Sequence, residues 1–159
     1  MRVGTMADGI WRRQVNLDEL NRSLSIYMTK HLGIRFTTIG PDFLEATMPV
    51  DERTKQPFGK LHGGASAALS ETLASVAAHL CTGEGHSAAG VEINANHVRS
   101  VDDGVVTGRA QPVYIGSRIQ VWRVEIRRAD GRIVCESRVT LLVIDERGQA
   151  GSVDGSEET

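Results

Sequence analysis

The sequence predicts an α+β fold in which one long central helix is wrapped by a curved antiparallel sheet of about six strands. Residues 61–81 are rich in alanine and leucine and contain no glycine or proline after Gly64, which favours a long helix. This helix is apolar on nearly every face, so other elements must enclose it. Four segments with strand character follow it, and a curved sheet encloses a helix with few elements.

A short amphipathic helix is predicted at residues 17–30. Asn16 is the predicted N-cap. Apolar residues recur at steps of three and four, at Leu17, Leu20, Leu24 and Met28. Residues 1–10, ahead of this helix, are expected to be disordered or to form a leader segment.

Two strands are predicted next, at residues 34–39 and 43–48. The residues between them, Gly40-Pro41-Asp42, each favour a turn. The two strands are therefore expected to form a hairpin.

After the long helix, Gly83 and Gly85 interrupt the pattern. Strands are predicted at residues 87–99, 104–114, 118–127 and 132–144. The last of these alternates in the manner of a strand with one buried face. Each intervening turn contains a glycine, so the four strands are expected to form an antiparallel meander.

These elements place one folded domain at residues 11–144 of the 159-residue chain. An apolar fraction of 40% is sufficient for a packed core at this size. Residues 145–159 change to mostly polar types, and this tail is expected to be disordered.

Composition excludes several classes of partner. A net charge of −2 gives no broad basic surface for nucleic acid. No apolar run is long enough for a membrane span or a signal peptide. Cys81 and Cys135 lack CxxC spacing and lie in apolar segments, which fits a cytoplasmic protein. The histidines are not spaced as paired ligands, so no metal site is predicted.

The stretch QPFGKLHGGASAALSETLAS, at residues 56–75, carries the chemistry. The start of a helix offers unpaired N–H groups and a partial positive charge, which stabilise an oxygen that becomes negative during a reaction. Gly63 and Gly64 let a substrate carbonyl approach these donors. Glu71 adds a base or nucleophile, and Ser75 can orient it or hold a water. Together these are the parts of an acyl-transfer site.

A simpler interpretation makes His62-Gly63-Gly64 a turn and Glu71 an ordinary helix residue with its carboxylate in water. The turn and Glu71 occur together with Gln56 and Ser75 in this spacing, and this combination favours an acyl-transfer site instead.

The chain resembles the hotdog-fold acyl-CoA thioesterases of the aryl-CoA type. The resemblance covers residues 11–144 and is densest in three places: the stretch above, VEINANHVRS at residues 91–100, and the turn Gly116-Ser117-Arg118. It implies the hotdog fold and hydrolysis of a hydroxyaryl-CoA or dihydroxynaphthoyl-CoA thioester. Residues 91–100 are most similar to the dihydroxynaphthoyl-CoA enzymes of menaquinone synthesis.

The resemblance also implies roles for individual residues. Glu71 would attack the thioester or activate water, and the Gly63 N–H would bind the oxyanion. Gln56 and His62 would assist at the carbonyl or the leaving sulfur, while Ser75 would position the water. No cofactor is implied, because coenzyme A is part of the substrate.

Contacts to coenzyme A are implied for four residues, His97, Arg99, Ser117 and Arg118. The planar fork of arginine suits phosphate, and alternate residues share one face of a strand. From the residues alone, a solvated strand face would be the first interpretation. Lys60 stands where the family often has an apolar residue, so the rim of the site is expected to differ.

A site shared between subunits follows from helix length. Gly63 and Glu71 are eight residues apart, roughly 12 Å along one helix, whereas a nucleophile must come within about 3.5 Å of its target carbon. We therefore expect Gln56, His62 and Gly63 of one subunit to meet Glu71 and Ser75 of an antiparallel mate. A homodimer, assembled further as a dimer of dimers, is the expected state.

Three alternatives stay open. The acyl group could be carried by an aryl or acyl carrier protein in place of coenzyme A. A non-catalytic acyl-CoA-binding protein of this fold would have no use for Glu71. A dehydratase would need a histidine beside an acid, and the helix offers only His79, deep within it.

Overall fold

The predicted α+β architecture is confirmed in the computed structural model, which describes residues 9–146. A six-stranded antiparallel sheet with strand order β1-β2-β4-β5-β6-β3 packs against the central helix α3. The predicted terminal segments, residues 1–10 and 145–159, lie almost entirely outside the described residues. In chain order the elements are α1 (Leu17–Leu24), α2 (Tyr27–His31), β1 (Arg35–Ile39), β2 (Leu44–Pro49), α3 (Gly63–Leu80), β3 (His86–His97), β4 (Val105–Ile115), β5 (Ile119–Arg128) and β6 (Ile133–Asp145).

The central helix α3 is 18 residues long and is buried on the side that faces the sheet. Leu69, Leu73 and Ala77 have no exposed surface. The opposite side is only half-buried, and we call it the half-buried stripe; it consists of Ala67, Ala68, Glu71, Thr72, Ser75, Val76 and His79. The expectation of a helix enclosed all round is therefore correct for one side of α3 and not for this stripe.

The inner face of the sheet follows the period of two that the sequence predicts for strands. In β5, for example, Gln120, Trp122, Val124 and Ile126 are buried. Trp122 stacks on Trp11, with ring centroids 6.2 Å apart, so the segment before α1 closes one end of the core. Irregularities in the pairing of β1, β3, β4 and β5 add twist, and they help the sheet to curve around α3.

The helix predicted at residues 17–30 is in fact two helices. Asn16 caps α1 as predicted, since its side chain accepts from the Glu19 N–H. Ser25 and Ile26 leave the helical conformation, and Tyr27 begins α2 with a φ of 46°. The apolar spacing continues through the break, so the sequence pattern does not reveal it.

The predicted hairpin of β1 and β2 is confirmed, but the four-strand meander is not. β4, β5 and β6 are joined as consecutive antiparallel neighbours. β3 instead pairs with β6 at the far end of the sheet, while β4 pairs with β2. The segment between β3 and β4 is thus a crossover connection between strands that are not neighbours, and not a tight hairpin. This holds even though Gly104 adopts the positive φ of a turn residue. Local turn chemistry does not determine which strand lies next to β3.

Asn21 joins α1 to β1, and its removal should be costly. Its side chain accepts from the Phe36 N–H and donates to the Phe36 and Leu17 carbonyls, each at 2.9 Å. We expect Asn21→Ala to lower the free energy of unfolding by about 1–3 kcal/mol, because these backbone groups lose their partner. Urea denaturation measures this change. Arg22→Ala, at an exposed neighbour, is the control and should change stability by no more than about 0.5 kcal/mol; equal effects would contradict the role of Asn21.

Candidate active site

The start of α3 presents a free hydrogen-bond donor. His62 is the N-cap: its Nδ1 accepts from the Gly64 N–H at 2.8 Å, and its own N–H donates to the Thr54 carbonyl at 2.8 Å. Within residues 9–146, the Gly63 N–H has no hydrogen-bond acceptor. A donor at the positive end of a helix dipole suits a developing oxyanion.

A cavity of about 420 Å³ opens beside this donor. Of the residues predicted to form the site, it brings together Gln56, Gly63, His97 and Arg99. A Cβ atom at residue 63 would lie 3.0 Å from His97 Nε2, so glycine is what allows the two to approach. The remaining lining residues are Lys60, Leu61, Ser66, Val98, Ser100 and Val134.

Two of the polar residues that line this cavity, Gln56 and Arg99, are held by their neighbours. Gln56 Oε1 accepts from the Phe58 N–H within the turn that precedes α3. Arg99 donates from its guanidinium to the Ile133 carbonyl at 2.6 Å. Since β3 ends at His97, Arg99 lies just beyond the strand predicted to contain it.

Glu71 lies farther along α3, on the half-buried stripe. Ser75 Oγ donates to Glu71 Oε1 at 3.3 Å, the contact expected from their spacing of four residues. The carboxylate rests against the backbone of Gly90, where any side chain would collide with Oε1. The pairing of β3 with β6 shifts register between Gly90 and Glu92, so the strand bulges beside the carboxylate.

One chain does not bring the predicted site residues together. Neither Glu71 nor Ser75 lines the cavity at the start of α3. Ser117 lines a different cavity, of about 260 Å³, together with Cys81 and Thr82 just past the end of α3. Arg118 is next to it in the chain. Eighteen helical residues span about 27 Å, so the predicted coenzyme A contacts fall into two groups at opposite ends of the helix.

Gly90 is a site residue that the sequence analysis missed. A glycine inside a strand pattern often marks a bulge or a close approach of another group, and this signal was present in the sequence. Ser66, Ser100 and Val134, which line the cavity, carried no signal that separates them from ordinary core and loop residues.

Other titratable residues give little support to different chemistry. Burial raises the pKa of Cys81 to about 12 and also raises the pKa of Cys135, so both thiols stay protonated at neutral pH. Burial, assisted by Arg13, lowers the pKa of His79. The part of the chain that the structure describes holds no cluster of three or more potential metal ligands, and none of its helices is long and apolar enough to cross a membrane.

Comparisons with known proteins agree on one family. A profile of the Thioesterase superfamily matches residues 58–135. The 1,4-dihydroxy-2-naphthoyl-CoA hydrolase of Escherichia coli K12 is 53% identical over 85% of this chain and 99% of its own length. The proofreading thioesterase EntH of Cronobacter sakazakii is 49% identical over 85% of this chain and 98% of its own. The crystal structure of a Haemophilus influenzae thioesterase matches with a TM-score of 0.85 and 49% identity, over 86% of this chain and 96% of that one.

The contact between Gly90 and Glu71 leads to a structural prediction. In Gly90→Ala the new methyl group meets the flexible end of Glu71, so we expect the carboxylate to move and the Ser75 hydrogen bond to be lost. Thermal stability should change little, by no more than about 1 kcal/mol, because the atoms that the methyl group meets are the end of a flexible side chain, which can move. A crystal structure of the variant and its melting temperature measure both effects.

Gly83→Ala is the matched control, since nothing lies within 4 Å of a Cβ atom at that position. A Gly90→Ala structure in which Glu71 keeps its position and its bond to Ser75 would contradict the proposed contact.

Proposed function

Since the chain belongs to the Thioesterase superfamily and is a thioester hydrolase, we propose that its substrate is an aromatic acyl-CoA of the hydroxyaryl or dihydroxynaphthoyl type. Two observations support this substrate class. The chain is 53% identical to a protein named for hydrolysis of 1,4-dihydroxy-2-naphthoyl-CoA. The cavity at the start of α3 also offers cationic groups that suit the phosphates of coenzyme A, with Arg99 among them.

The proposed chemistry uses the two parts of the site in different roles. The Gly63 N–H donates to the thioester oxygen as it becomes negative. The Glu71 carboxylate either attacks the carbonyl carbon, forming an anhydride that water then hydrolyses, or removes a proton from an attacking water. In both routes the carbon–sulfur bond breaks, and the products are the free acid and the thiol. Ser75 holds the carboxylate or the water, and Gln56 and His62 assist at the carbonyl or the sulfur.

The observation that carries a shared site is the separation of Glu71 from the cavity that contains Gly63. A carbonyl held at the start of α3 is out of reach of a carboxylate roughly 12 Å further along the same helix. An antiparallel partner places its own Glu71 beside the first subunit's Gly63. The same arrangement brings Ser117 and Arg118 of one subunit toward His97 and Arg99 of the other.

Two further features support a homodimer. β3 lies at the end of the sheet and none of its 12 residues is buried, so its outer edge is available for another strand. The half-buried stripe of α3, which includes Glu71, borders the same strand through Gly90. A second copy would cover both. We extend the proposal of a homodimer to a dimer of dimers, a cytoplasmic location and a place in menaquinone synthesis.

One other substrate class has specific support. Proteins named proofreading thioesterase EntH are 49% identical to this chain, which favours a thioester on an aryl or acyl carrier protein as the second candidate. The dehydratase and the non-catalytic binding protein are set aside, because the chain is a thioester hydrolase.

A substrate panel tests the proposed function. Purified protein is assayed by thiol release on aromatic and aliphatic acyl-CoA thioesters, and on an aryl carrier protein bearing the same aromatic group. We expect kcat/KM to be at least about tenfold higher for the aromatic acyl-CoA than for either competitor. Glu71→Gln should lower kcat on the best substrate by at least about a hundredfold, since the amide cannot act as base or nucleophile.

Glu52→Gln, an exposed loop residue, is the matched control and should retain wild-type activity. If Glu71→Gln keeps half of the wild-type kcat, Glu71 is not the group that acts on the thioester. A preference for the carrier protein would replace the first candidate with the second.

Subunit exchange tests the shared site. Glu71→Ala is mixed with His62→Ala, each inactive alone, and the subunits are allowed to exchange. Each heterodimer would then contain one doubly damaged site and one intact site, so activity should recover to about a quarter of the wild-type value after random exchange. Differently tagged subunits confirm that heterodimers form. Confirmed heterodimers without activity would show that Gly63 and Glu71 act within one chain.

A further inference from the structure

Lys60 is a cation at the rim of the site that no expected role explains. It lines the cavity with His97 and Arg99, and none of the lining residues is an aspartate or glutamate. Its Nζ is 2.6 Å from Asp102 Oδ1, and Asp102 lies outside the cavity. Lys60 therefore stands between an acidic residue on the surface and a cavity that holds only neutral and cationic groups.

The pair between Lys60 and Asp102 can be exchanged at little cost. The two side chains are 42% and 62% exposed, and exposed ion pairs contribute little to stability. An ammonium group has three donors, so the bond to Asp102 leaves others free. Lys60 lowers the pKa of Asp102 through their hydrogen bond, and Arg128 and Lys55 lower it further. Asp102 would therefore remain ionised, with cations nearby, if Lys60 turned away.

We propose that Lys60 is a phosphate-binding residue that exchanges Asp102 for a phosphate of the bound coenzyme A thioester. In the empty site, Asp102 holds the ammonium at the rim. When substrate binds, the ammonium turns into the cavity and joins Arg99 at the phosphate. The inference rests on the proposed function, since it assumes a thioester that carries phosphate. It makes Lys60 a determinant of selectivity for phosphorylated thiols over short thioesters.

Calorimetric titration with coenzyme A distinguishes exchange from a structural ion pair. Lys60→Met removes the ammonium and should raise the Kd for coenzyme A about tenfold, as expected for the loss of one charge-assisted hydrogen bond. Asp102→Asn removes the competitor and should lower the Kd about threefold. Opposite signs would contradict a purely structural ion pair, because either change would break such a pair equally.

Shorter ligands locate the phosphate. Pantetheine, which has none, should bind Lys60→Met and the wild type equally. If Lys60→Met also binds 3′-dephospho-coenzyme A more weakly than the wild type does, Lys60 lies at the diphosphate. If the two proteins bind 3′-dephospho-coenzyme A equally, Lys60 lies at the 3′-phosphate. Arg53→Met and Asp51→Asn are matched controls: this pair is similarly exposed and lies outside the cavity, so neither change should alter the Kd.

Three results would overturn the inference: equal weakening by Lys60→Met and Asp102→Asn, an unchanged Kd in Lys60→Met, or equal weakening for pantetheine. Thioester hydrolysis by the wild type is measured in parallel on acyl-CoA and acyl-pantetheine. If the wild type hydrolyses the thioesters but Lys60→Met leaves the Kd for coenzyme A unchanged, this inference is wrong and the proposed function still stands. A wild type that hydrolyses neither thioester refutes the proposed function.

Discussion

The burial of α3 is the constraint on which the rest of the structure depends. The sheet-facing side of α3 is mostly leucine and alanine, with two buried serines, so the sheet must curve around it to keep this largely apolar face from water. Close contact is possible because β4 has Gly108 where a Cβ atom would meet Leu73. The alternating inner residues of β2, β4, β5 and β6 complete the core. The position of every site residue on α3 follows from this packing.

A buried helix is also a rigid spacer. Gly63 and Glu71 cannot approach each other, because the hydrogen-bonded backbone between them sets their separation at roughly 12 Å. The sheet leaves the half-buried stripe and the edge of β3 uncovered on the same side. The proposed site is thus divided between two places on α3, and in the proposed dimer two antiparallel copies join these parts.

Charged groups are likewise separated along α3, with cations at its start and a carboxylate farther along. The start of α3 combines the positive end of the helix with Lys60 and Arg99, and the cavity there is lined by no carboxylate. Glu71 lies two turns away, beside Ser75 and the bulge of β3. A carboxylate at the start of the helix would compete with an oxyanion or a phosphate for the same donors. Keeping it farther along the helix leaves these donors available to a substrate.

The sequence by itself determined the features that depend on residues close together in the chain. The long helix, the hairpin of β1 and β2, the Asn16 cap and the pairing of Glu71 with Ser75 all follow from periodicity, capping or turn chemistry over a few residues. Only the tertiary structure decided which strand lies beside β3, where the first helix breaks, that Gly90 lies under Glu71, and that Lys60 meets Asp102, 42 residues away. Periodicity shows which face of an element is buried. It does not show what that face meets, because the choice of neighbour is made by packing the whole chain around α3.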